Sequence, residues 1–123
     1  MKSQRLDNAI AARSDGRNSD AVVEATSAAI EVLEVMLRNL GIPHKFPGEE
    51  TIDWNAVPPE TVRDLLEAGV NYKVITPQQG EIISRSHALS QGIRRGKDLS
   101  VPDASADEII NLAVALETTQ RQL

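Results

Sequence analysis

The chain has no cysteine among its 123 residues, which excludes a disulfide framework and any thiolate chemistry. Histidine is nearly as scarce, with His44 and His87 alone. A structural zinc site would have to complete four ligands from two imidazoles and scattered carboxylates, so no metal is expected. Aromatic residues are limited to Phe46, Trp54 and Tyr72, and a core must be built mostly from Leu, Ile, Val and Ala. Long hydrophobic runs are missing too. The longest apolar stretch near either end, Ile109 to Leu116, is far short of the roughly 20 residues that cross a bilayer. Residues 1–17 carry charges throughout, with no apolar segment of signal-peptide length. No membrane partner is expected, and a cytoplasmic location is the simplest expectation.

What is present fits an ordinary globular protein: 41% apolar and 25% charged residues in 13.4 kDa, the size of one domain. We expect a weakly ordered N-terminal segment or short helix over 1–17, around Leu6 and Ile10, and a single helical domain over 18–123. The net charge of −5 is unevenly spread. Residues 18–81 are strongly acidic, whereas 82–97 hold Arg85, Arg94, Arg95 and Lys97 with no acid. An anionic partner would meet the chain there.

The clearest element is a long helix over about 20–40. Asn18 or Ser19 is placed to supply a cap oxygen, Gly41 suits the position after the helix, and Pro43 prevents continuation. Val22, Thr26, Ala29, Leu33, Met36 and Leu40 follow the alternating spacing of a coiled-coil seam, with Val23, Ile30 and Leu37 beside it. The polar stripe of Glu24, Ser27, Glu31, Glu34 and Arg38 is narrow. A surface helix needs an apolar stripe only a little over about 100° wide, and this one is wider, so it requires cover from several sides. The reading taken is that a second copy of the chain supplies part of that cover. The expected interface is Val22, Val23, Ala29, Ile30, Leu33, Met36, Leu37 and Leu40.

A second helix is expected over about 106–122, with Ser105-Ala-Asp-Glu108 as a capping box and Ile109, Leu112, Leu116 and Leu123 on one face. Between the two helices, residues 41–58 form a long connection with Phe46 and Trp54 as anchors, and Glu49, Glu50 and Asp53 form an acidic cluster beside Trp54. Pro58 and Pro59 open a short helix with Val62, Leu65 and Leu66 inward, ended by Gly69. Val70 to Thr76 alternates like a strand and Glu81 to Ser84 allows its return, so the pattern admits a short β-hairpin at 70–84. Ser84 or Ser86 would then cap a further short helix. The fold class expected is mainly α, a small bundle around the long central helix.

Candidate chemistries are weak. Gly92-Ile-Arg-Arg-Gly96-Lys97 has three residues between its glycines where a phosphate loop needs four, and Asp98 stands where the hydroxyl belongs. Thr61 to Val74 has a helix-turn-helix outline around Leu65, Ala68, Gly69 and Val70, but Pro77 interrupts the presumed recognition helix. Glu24, Glu31 and Glu34 share a stripe without the Glu-x-x-His pair of a dimetal bundle, and they read as a solvated face. Ser84, Ser86 and His87 are neighbours in sequence with no oxyanion-hole pattern. No catalytic residue and no cofactor is assigned.

The expected function is a non-enzymatic protein-interaction module (adaptor, regulator or assembly component) that self-associates through the 20–40 helix and also partners another protein. The alternative is a small nucleic-acid-binding regulator that uses Arg85, Arg94, Arg95 and Lys97. An enzyme ranks last, and would need His44 or His87 in a pocket beside a carboxylate.

Overall fold

Apolar residues recurring at helical spacing become five helices in the computed structural model, which describes residues 4–44, 59–96 and 100–122. They are α1 (Gln4–Ser14), α2 (Asn18–Asn39), α3 (Pro59–Asn71), α4 (Pro77–Arg94) and α5 (Asp103–Arg121). The architecture is a small, mainly α bundle, with no strand among the described residues.

The 22-residue α2 is the axis, about 33 Å long at 1.5 Å per residue. All four other helices pack against it, α5 and α1 most extensively, while α1 also touches α5 and α4 touches both α3 and α5. The core is aliphatic, as the near absence of aromatics requires. Leu6 of α1, Ile30, Leu33 and Leu37 of α2, Leu65 of α3, Ile83 of α4 and Ile109 of α5 are essentially sealed from solvent. Ala9 and Ala12 of α1, Ala25, Ala28 and Ala29 of α2, and Ala106 and Ala113 of α5 are buried as well. Side chains this small let helix backbones approach closely.

The wide apolar girth of α2 is therefore covered by its own chain. Val22, Ala29, Ile30, Leu33, Met36 and Leu37 are all buried within one copy. Of the eight residues expected at an interface between copies, only half-buried Val23 and exposed Leu40 remain near solvent. The expectation that α2 needs a second copy is corrected: α1, α3, α4 and α5 supply the several sides of cover. Glu34 corrects the solvated-stripe reading as well, because it is 2% exposed. Glu24 and Glu31 stay near the surface, both against Arg5.

Helix ends differ from expectation in instructive ways. No side chain caps α2 at Arg17, and Asn18 instead donates across the bundle to the Val101 carbonyl and to Asp103 Oδ1. Helix α5 starts at Asp103, two residues before the expected capping box at Ser105, with the Ser105 and Ala106 amides bonded to the Pro102 carbonyl. Gly41 does end α2, at φ +71, with the Ile42 amide reaching back to the Leu37 carbonyl.

Over residues 70–84 the structure is helix, turn and helix where a hairpin was admitted. Helix α3 runs past Gly69 to Asn71, and the chain turns with Lys73 at φ +61 and the Val74 amide bonded to the Gly69 carbonyl. That is the closing motif usually made with glycine, and a lysine there gives no stop signal. Pro77 starts α4 rather than breaking it. Its missing N–H falls where a helix has no internal acceptor to offer, and Thr76 and Gln79 close a reciprocal capping box around it. Gly69 matters for packing, because a Cβ there would lie 3.1 Å from Ile75 Cγ1 and 3.2 Å from Leu33 Cδ1.

The connection anchors Phe46 and Trp54, the acidic cluster of Glu49, Glu50 and Asp53, and Pro58, Lys97, Asp98 and Leu123 lie outside the described residues. None of the described helices is long and apolar enough to cross a membrane.

Candidate functional site: an anion-binding cleft between α3 and α4

The chemistry of this surface is set by which charges are already neutralised. Six of the nine arginines sit within ion-pair distance of a carboxylate. Arg13 contacts Asp107 at 2.8 Å and Asp103 at 3.4 Å, tying α1 to α5. The Asp107 hydrogen bond, then the Asp103 charge, raise its pKa above the ordinary arginine value against some desolvation. Arg85 lies 3.3 Å from Glu108. Only Arg63, Arg94 and Arg95 have no ion-pair partner among the described residues.

Arg63 and Arg95 line the same cleft, a space of about 300 Å³ between α3 and α4. Helix α3 contributes Pro59, Val62, Arg63 and Leu66; α4 contributes Ser84, His87, Ala88 and Gln91, and Arg95 follows at its end. Residues 84, 88, 91 and 95 recur at helical spacing, which is why one face of α4 carries them together. His87 is 5% exposed and Gln91 Nε2 donates to its Nε2 at 3.3 Å. The Gln91 amide therefore holds the imidazole at the floor of the cleft. No carboxylate is among the described residues lining this cleft.

The arrangement is therefore cationic at the rim, polar within, and apolar along the α3 wall. It can receive an oxyanion by charge-assisted hydrogen bonds from two forked guanidiniums. It is poorly built for nucleophilic chemistry. Ser84 and His87 share the cleft, but the imidazole nitrogen that would act as base is taken by Gln91.

The other sequence candidates fall elsewhere. Arg85 and Arg94 are nine positions apart, about half a turn round at 100° per residue, so the basic segment does not form one patch on α4. Arg94 lines a larger cleft of about 430 Å³ with Arg17, Asp20 and Glu24, where carboxylates already balance the cations. Exposed Glu81 stands in the second turn of α4, the end of a DNA-reading helix that would enter the major groove. His44 is held away from this cleft: Nδ1 donates to the Ile42 carbonyl at 2.8 Å and Nε2 meets Glu34 Oε2 at 2.9 Å. No cluster of three or more His, Asp or Glu side chains among the described residues could hold a metal ion. Sequence reasoning named Arg95 and His87 but missed Arg63 and Gln91, because nothing local in the sequence shows that α3 and α4 lie side by side.

No protein-family model, no curated protein and no solved structure matches this chain.

Proposed function

We propose that the protein is a non-enzymatic binding module whose α3–α4 cleft takes up an anionic group, either of a free ligand or of a partner protein. One observation carries this reading: two of the three arginines without an ion-pair partner among the described residues line a single cleft whose described lining holds no carboxylate. A protein that pairs six of its nine guanidiniums leaves these two available in a concave, partly apolar site. That combination is how small-ligand sites are built: mostly apolar walls with a few placed polar groups. The interaction role expected from the sequence is kept, and its location moves from the covered seam of α2 to the α3–α4 hairpin.

The test is a titration of the whole chain with acetate, sulfate and inorganic phosphate, followed by backbone amide shifts. The expected result is saturable shifts centred on Arg63, His87 and Arg95. They should vanish in the Arg63→Ala/Arg95→Ala double variant and persist in Arg85→Ala, whose guanidinium belongs to Glu108. Shifts that survive the double variant would refute the reading.

A further inference from the structure

Resting on the anion-cleft reading, we infer that the group bound there is a phosphate monoester carried on a short apolar body. Charge decides between oxyanions. Arg63 and Arg95 present two positive charges to the cleft. A carboxylate would neutralise one of the two, whereas a phosphate monoester carries about −1.5 to −2 at pH 7 and matches both. Its three terminal oxygens also outnumber those of a carboxylate, enough to engage two separate guanidinium forks.

The rest of the cleft sets the ester group. Pro59, Val62 and Leu66 make one wall apolar, which gives inorganic phosphate nothing to bury and an organic substituent a surface to cover. A space of about 300 Å³ is at the lower end for small-molecule sites, roughly 300–1,000 Å³. It accommodates a phosphoryl group with a ring-sized body. A free metabolite-like phosphate and a phosphorylated tyrosine side chain of a partner protein share this chemistry.

The experiment is calorimetric titration of the full chain with phenyl phosphate, benzoate, inorganic phosphate and a short phosphotyrosyl peptide. Phenyl phosphate should bind about tenfold more tightly than benzoate, the equivalent of one charge-assisted hydrogen bond, and also more tightly than inorganic phosphate. Arg63→Ala and Arg95→Ala should each weaken it about tenfold, with thermal midpoints of the unliganded variants unchanged because both side chains are exposed. Arg85→Ala should leave it as it was. A peptide that binds more tightly than phenyl phosphate assigns the source to a partner protein; a weaker one assigns it to a free ligand. Benzoate binding as tightly as phenyl phosphate would overturn the phosphate inference and leave the anion cleft standing. Binding by none of the four probes would overturn both.

Discussion

The hydroxyl of Thr26 lies inside the bundle, 1% exposed, and its Oγ1 finds no hydrogen-bond partner among the described residues. Leaving such a group buried without a partner costs about 1–3 kcal/mol. Valine has nearly the same shape without the polar atom. Thr26→Val should therefore stabilise the protein by about 1 kcal/mol, read as a higher denaturant midpoint with an unchanged slope. A lower midpoint would show that the hydroxyl is paired in solution. Glu34 shows the opposite solution to burial. The Ile42 carbonyl can only accept, so His44 Nδ1 donates to it, and Nε2 faces the Glu34 carboxylate at 2.9 Å. Arg38 adds a cation 3.9 Å from the other carboxylate oxygen. At this scale the sequence was legible where spacing alone decides: Thr26 falls on the α2 seam and is buried. It misled at Glu34, whose partner sits ten residues away across a helix end.

Among the elements, α2 is the one whose reading changes most. Its apolar spacing predicts a seam, and the seam is faced by helices of the same chain. Leu33 is 0% exposed, so Leu33→Glu should introduce a buried unpaired carboxylate and unfold the protein rather than release a folded single chain. Circular dichroism beside a solution mass measurement separates the two, and a variant that stays helical at 13.4 kDa would restore the interface between copies. Helices α3 and α4 carry the converse lesson. Lys73 takes a left-handed conformation that glycine usually marks, and Pro77 begins a helix that it would have broken one turn later. Both residues look like strand and turn signals until the capping bonds are known.

For the molecule as a whole, the notable outcome is how much α1 contributes. It packs on α2 and α5, buries Leu6, Ala9 and Ala12, and is stitched by Arg13 to Asp103 and Asp107 and by Arg5 to Glu24 and Glu31. Exposed ion pairs of this kind stabilise little, so the burial of Leu6 is the larger effect. Leu6→Ala should cost about 2–5 kcal/mol in thermal or denaturant unfolding of the whole chain. A loss under about 0.5 kcal/mol, the range of surface substitutions, would mean that the N-terminal segment frays in solution.

Composition and periodicity by themselves determined that this chain is helical, aliphatic-cored and organised around one long helix. Those properties follow from near-neighbour spacing along a single helix. What covers that helix, and which charges are left without partners, was decided only by tertiary structure. Both depend on residues far apart in the chain, such as Arg13 paired with Asp107 or Arg63 and Arg95 lining one cleft, whose juxtaposition no local pattern encodes.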